Sequence, residues 1–181
     1  SCHSGYLVCE WQTTRYPEWQ ERGDSALAPV GTHMEPPKDA IEERNGKYRL
    51  SNGNYVEKTM YFYVLALVDG ETRKAVIPMR SSNLTPGREL NNLIQNLRSS
   101  DDKGTFRPAA YAAVFNLKTA GKSWGDKNWH VYKPSKVRML EMSNQDDASV
   151  YQMAQKLQSE AFKGSTQPKY EKVDSAKEDI A

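Results

Sequence analysis

The stretch that most limits how this chain can fold is Met60 to Met79, MYFYVLALVDGETRKAVIPM. Tyr61 to Val68 is an unbroken β-branched, aromatic and aliphatic run that ends at Asp69-Gly70, and a second apolar run, Ala75 to Met79, follows a short polar stretch. Asp-Gly between two such runs signals a hairpin, because a two-residue type I′ turn needs positive φ at both central residues. Both alternating sets of the first run are apolar: Tyr61, Tyr63, Leu65 and Leu67 on one side, Phe62, Val64, Ala66 and Val68 on the other. A strand of that kind is covered on both faces and belongs in the middle of a sheet or barrel.

The rest of the chain is arranged around this hairpin. Residues 1–45 read as an aromatic-rich arm and linker: Gly5 to Trp11 could form one strand, then Tyr16, Pro17 and Trp19 stand among polar residues, and a Gly/Ala/Pro-rich link follows. Residues 46–163 read as the domain. Within it, Lys47 to Leu50 and Tyr55-Val56 flank an Asn52-Gly53 turn and lead into the central strand. Thr85 is placed to cap a helix that has Pro86 as its first residue, and Leu90, Leu93, Ile94 and Leu97 form its apolar stripe. Asp101 to Gly104 ends that helix. Pro108 to Leu117 is a further strand, 121–128 a polar loop, Trp129 to Lys133 the return strand and Val137 to Met142 another short one. Residues 147–162 form a second amphipathic helix, and 164–181 a disordered polar tail. The expected fold is mainly β with helices and barrel-like. It is an OB-type Greek-key barrel with one inserted helix, a C-terminal helix and an extended N-terminal arm. A sheet with helices on one face is the alternative.

Composition narrows the function. The chain has 181 residues and a net charge of +2, but the charge is uneven. Residues 1–57 carry 6 Lys/Arg against 9 Asp/Glu (−3), residues 58–140 carry 14 against 6 (+8), and residues 141–181 carry 5 against 8 (−3). A basic centre between acidic flanks suits a polyanionic partner. No apolar run approaches the roughly 18 residues of a membrane span and no leader-like segment opens the sequence, so no membrane contact is expected. With Cys2 and Cys9 the only cysteines, there is no disulfide scaffold, and a cytoplasmic protein is expected.

Catalytic signatures are lacking. His3, His33 and His130 fall in no protease, nuclease or triad spacing, and there is no phosphate-cradling GxxxxGK[ST] loop. Two-metal chemistry needs carboxylates on core strands, and residues 60–68 and 109–118 have none. Cys2, His3, Cys9 and His33 can be assembled into a zinc site on paper, but their spacing matches no standard finger or ribbon. No metal, no cofactor and no catalysis are expected.

Single-strand binders combine a track of Lys and Arg with aromatic faces on which bases stack. The two residue types are interleaved around the central hairpin at Lys58, Tyr61, Tyr63, Arg73, Lys74 and Arg80. They recur in the second half at Tyr111, Phe115, Lys118, Lys122, Trp124, Lys127, Trp129, Tyr132 and Lys133. Trp124 stands in a polar loop between Lys122 and Lys127. The aromatics on strands can equally be core residues.

From Tyr61 to Lys133 the order of features resembles a set of small phage-encoded single-stranded DNA-binding proteins. The likeness lies in ALVDGE, KAVIPMRSSNL, the helix TPGRELNNLI, the strand YAAVFNLKTA and the loop GKSWGDKNW, followed by a return strand, a helix and a polar tail. It implies an OB-type fold, sequence-independent coating of single strands in phage replication or recombination, and contacts from Arg80, Lys118, Lys122, Trp124, Lys127 and Trp129. The expected partners are then single-stranded DNA, further copies of the chain, and replication or recombination proteins in the host cytoplasm. A function of another class is a structural or assembly protein of a virion or other complex, whose aromatic N-terminal arm docks on neighbouring subunits.

Overall fold

The structure is a computed structural model and describes residues 4–21 and 28–163. Its elements are β1 (Ser4–Trp19), β2 (Gly31–His33), β3 (Ile41–Arg44), β4 (Lys47–Arg49), β5 (Tyr55–Glu57), β6 (Thr59–Val68), β7 (Glu71–Arg80), α1 (Leu84–Gln95), β8 (Ser99–Asp101), β9 (Gly104–Phe106), β10 (Ala113–Trp124), β11 (Lys127–Met139) and α2 (Gln145–Phe162). The fold is mostly β with two helices, and its main sheet curls strongly into a half barrel.

The expected central hairpin is formed by β6 and β7, with Val68 opposite Glu71 and positive φ at both Asp69 (51°) and Gly70 (76°). Beside β6 runs β1, in register from Tyr6↔Leu67 to Arg15↔Thr59. On its other edge β1 pairs with β10, and β10 with β11, so the antiparallel order is β7-β6-β1-β10-β11. Past Arg15, β1 leaves β6 and pairs with β2 and β5, and β4 and β3 extend that smaller part of the sheet. Pro78 and Pro134 lie on β7 and β11, edge strands of this order, where a missing N–H costs no ladder bond.

The segment expected as an arm is therefore the longest strand and lies in the centre of the sheet. Its polar residues hide the period because β1 changes neighbours along its length, so no single alternation holds from Gly5 to Trp19. A bulge at Glu10, between the pairs Cys9↔Val64 and Trp11↔Tyr63, shifts the alternation by one residue. The helices cover opposite faces. Leu84, Leu90 and Ile94 of α1, with Leu97 just beyond it, pack on Leu7, Cys9, Phe62, Val64, Phe115 and Leu117. Val150, Tyr151, Ala154 and Leu157 of α2 pack on Val8, Leu65, Tyr111 and Val114. That is why both alternating sets of β6 are apolar. Each fully buried large side chain here contributes about 1.5–3 kcal/mol relative to exposure.

Several boundaries differ from the sequence reading. The cap residue of α1 is Asn83, and its side chain makes no cap bond; its Oδ1 instead accepts the Tyr132 N–H at 2.8 Å. Thr85 and Pro86 are inside the first turn. Asp101 to Gly104 closes a small β8–β9 hairpin. A 3-10 turn over Ala110–Ala112 precedes β10, and residues 121–124 and 127–128 are strand, because the turn is the two-residue Gly125-Asp126. The two short return strands are one strand, β11. At α2 the Asn144 side chain caps the helix by accepting the N–H groups of Asp146 and Asp147. Asp147 in turn holds Arg138 of β11 in a two-pronged pair at 2.6 and 2.9 Å and accepts the Glu141 N–H. Cys2, His3 and the expected tail lie outside the described residues.

Candidate nucleic-acid interface

The residues chosen from the sequence fall into three groups. The first is interior. Phe115 is fully buried, and Tyr61, Tyr63 and Tyr111 are only 4–6% exposed. Tyr63 stacks flat on Trp11, with ring centroids 4.0 Å apart, and Tyr111 meets Tyr151 of α2 edge-on at 4.9 Å. A base could not reach these four rings without opening the core, which corrects their reading as a stacking surface. Each lies in a lysine-free run, and that is the signal that separates them from the exposed aromatics.

The second group is scattered. Arg73 and Lys74 are neighbours on β7 and so point to opposite faces. Arg73 pairs with Glu71 at 3.0 Å, while Lys74 lies on the α2 side near Glu10. Arg80 pairs with Glu57 at 3.3 Å and its guanidinium sits 4.9 Å over the Trp19 ring. The half-buried Lys58 lies beneath the β3–β4 turn.

The third group is gathered by the β10–β11 hairpin. Directly opposed residues share a face, and faces alternate along each strand. The register pairs Lys118 with Lys133, Ala120 with Val131, Lys122 with Trp129 and Trp124 with Lys127. All eight are on one face, the face that α2 covers further in at Val114. The other face carries Thr119↔Tyr132, Gly121↔His130 and Ser123↔Asn128. Tyr132, expected as a contact, is therefore turned away from the lysines and packs against the α1 core.

The outer half of this hairpin stands free as a ribbon: residues 121–128 are all exposed, and Trp124 is 76% exposed. Gly125 (φ 56°) takes the first position of the turn, where a positive φ is required for a type II′ hairpin. From Lys118 to Trp124 the face is about 20 Å long, with rungs about 7 Å apart. Lys118 directly opposite Lys133 is a like-charge pair, an arrangement that costs stability unless an anion lies between. No carboxylate pairs with any of the four lysines among the described residues. Trp129 is half-buried, and its indole N–H is buried without a hydrogen-bond partner. Chemically, the face offers four ammonium groups and one open indole plane to an extended polyanion.

Among the described residues no group of three or more His, Cys, Asp and Glu could hold a metal ion. Cys9 is in the core, where burial pushes its thiol up to about 12. His33 is on β2 with its Nε2 2.7 Å from the Glu18 carboxylate. Glu18 also accepts from Asn54 and Asn52, and these bonds hold its carboxyl below the usual range. No helix is long and apolar enough to cross a membrane among the described residues.

Two features escaped the sequence reading. Glu10 is the bulged residue of β1, buried under α2, and burial raises its carboxyl to about 7. Arg44 and Lys47 flank an Asn45-Gly46 turn with positive φ at both residues, and this brings them beside Arg80. The Asn-Gly dipeptide between Ile41 and Arg49 was the available signal.

Residues 8–167 match the family model described as Pam3 phage gp34-like protein, and the chain belongs to that family of phage proteins. No curated protein and no solved structure matches the chain.

Proposed function

We propose, starting from the membership of the chain in a phage family, that it is a non-catalytic protein that binds single-stranded DNA during phage replication or recombination. Its binding surface is the lysine-bearing face of the β10–β11 ribbon, the face that α2 covers further in. Lys118, Lys122, Lys127 and Lys133 neutralise successive phosphates, and Trp124 supplies the plane on which a base stacks. The observation that carries this reading is the register: six residues chosen for phosphate and base contact are on one face, with no carboxylate paired to them.

An open ribbon with one free indole gives little base preference, because every base has a π-face. The rival reading, assembly through an aromatic N-terminal arm, loses its motive over residues 4–19, which are strand β1 in the protein's own sheet.

The test is binding of a fluorescent dT oligonucleotide of about 30 nucleotides at low and at moderate salt, beside duplex of the same length. Tight, salt-sensitive binding of dT with much weaker duplex binding is expected. No binding to either at low salt overturns the proposal. Equal binding to duplex would replace single-strand coating by insertion of the ribbon into a groove, since a major groove admits a two-stranded ribbon.

A further inference from the structure

A second cationic site lies away from the ribbon, where the β3–β4 turn meets the end of β7. The turn Asn45-Gly46 is seated on the core: a Cβ on Gly46 would stand 2.8 Å from Lys58 Cβ and 3.0 Å from Leu84 Cδ1. The Lys58 N–H donates to the Gly46 carbonyl at 2.7 Å and fastens it there. Between this turn and the end of β7 is an open cavity of about 420 Å³, lined by Arg44, Asn45, Lys47, Glu57, Arg80 and Ser81, with Tyr55 on its wall. Three cations face one carboxylate. That carboxylate, Glu57, is held by Arg80 at 3.3 Å. The Lys47 ammonium rests 4.2 Å over the Tyr55 ring, with Glu43 at 3.9 Å, and Arg44 has no ion pair among the described residues.

We propose that this cavity binds a phosphate or pyrophosphate group, independently of the ribbon. Guanidinium groups present a planar fork that fits a phosphate edge with two parallel hydrogen bonds; Arg44 supplies one without an ion pair among the described residues, and Arg80 a second that it shares with Glu57. Lys47 adds a point charge, and Asn45 and Ser81 add neutral donors. Ser81 holds φ at 51° and Asn45 at 50°, a region that residues other than glycine seldom adopt. At Asn45 this is the conformation that its Asn-Gly turn requires. The volume is at the small end of ligand sites, enough for a pyrophosphate or a sugar phosphate. The phosphate can come from a small phosphorylated molecule or from the end of a nucleic-acid strand.

The experiment is titration calorimetry of the full chain with sodium pyrophosphate, then with dT oligonucleotides with and without a 5′-phosphate. Pyrophosphate is expected to bind the native chain. The Arg44→Gln/Lys47→Gln variant should bind it at least about tenfold more weakly, and Lys122→Gln/Lys127→Gln should bind it unchanged. Arg44→Gln alone removes an exposed side chain without an ion pair, and should give a smaller loss in the same direction with an unaltered Tm. If a 5′-phosphate tightens oligonucleotide binding in the native chain but not in the Arg44→Gln/Lys47→Gln variant, the phosphate comes from a strand end. If it has no effect while pyrophosphate binds, the source is a small molecule. Absence of pyrophosphate binding, binding unchanged in both Arg44 variants, or equal loss in the ribbon variant overturns the proposal.

Discussion

The two halves of β10 differ sharply although they are one strand. Ala113 to Leu117 is buried residue by residue, with α1 on one side and α2 on the other. Lys118 to Trp124 leaves both helices behind and is half-buried or exposed throughout. Each half is reached or occupied by large aromatics, Tyr111 and Phe115 inboard and Trp124 outboard. Aromatic content therefore does not separate the buried half from the exposed one. The spacing of lysine does. Inboard, no lysine interrupts the run and both faces are dry. Outboard, lysine recurs on one face only, as a wet face held by one partner strand requires. The lesson is that a mixed Lys/aromatic segment should be divided wherever lysine begins to follow the strand period.

The comparison breaks first if the inboard half is not core. Phe115→Ala removes a fully buried ring from between the α1 cluster and the sheet. It should cost about 3–5 kcal/mol in denaturant unfolding. A loss under about 1 kcal/mol would mean that the inboard half is loosely packed and its rings accessible after all.

The same division explains how much was legible in the sequence. The β6–β7 hairpin could be read because Asp69-Gly70 carries its own turn chemistry and both alternating sets of β6 are apolar. Helix α2 could be read from its 3.6-residue period. Strand β1 could not, because it pairs with β6, β10, β2 and β5 in turn and is bulged at Glu10, so its pattern is a splice of several local ones. The tip of the ribbon reads as a loop in the sequence because its glycines and serine resemble turn residues. Only pairing with β11 shows that Gly121 to Trp124 stays extended. Six of the residues singled out in the second half, Lys118, Lys122, Trp124, Lys127, Trp129 and Lys133, share one face, since spacing along two paired strands fixes it. The Arg44, Lys47 and Arg80 grouping depends on where a distant turn is seated, and no local pattern encodes that.

The α2-covered face gives the next largest effect, through a charge on its dry part. Glu10 is buried beneath α2, where the Gln158 side chain donates to its carbonyl. Burial raises its carboxyl to about 7, Lys74 pulls it down and Glu160 pushes it further up. The folded chain thus holds a proton that the unfolded chain loses near the ordinary value of 4.5. Stability from this group is complete below that value and is lost as pH rises through about 7. Glu10→Gln should match the native chain in thermal melts near about pH 5 and melt several degrees higher near about pH 8. Parallel Tm curves for the two chains across that range would show Glu10 to be hydrated, and this face to be wet inboard as well as outboard.

On the ribbon the expected effects leave folding untouched. Trp124→Ala deletes a side chain that is 76% exposed, so Tm should not move. Affinity for dT should fall by about 1–3 kcal/mol, the contribution of one stacked base. Unchanged affinity would remove stacking from the proposal and leave charge alone.

The smallest effect separates charge from shape. Lys127→Gln removes one ammonium opposite Trp124 at the ribbon's tip and leaves an uncharged polar side chain one atom shorter. If that ammonium lies on a phosphate, the slope of log K against log salt for a single strand should become shallower by about 0.7, with the affinity loss greatest at low salt. Arg73→Gln is the control, because Arg73 is already paired with Glu71 and lies on the edge strand at the other side of the sheet. Its slope should match that of the native chain. Equal shallowing in both variants would mean that DNA senses only the summed charge of the basic centre. The alternating lysines of the outboard half would then be a solvated face like any other, and the contrast between the two halves of β10 would concern packing alone.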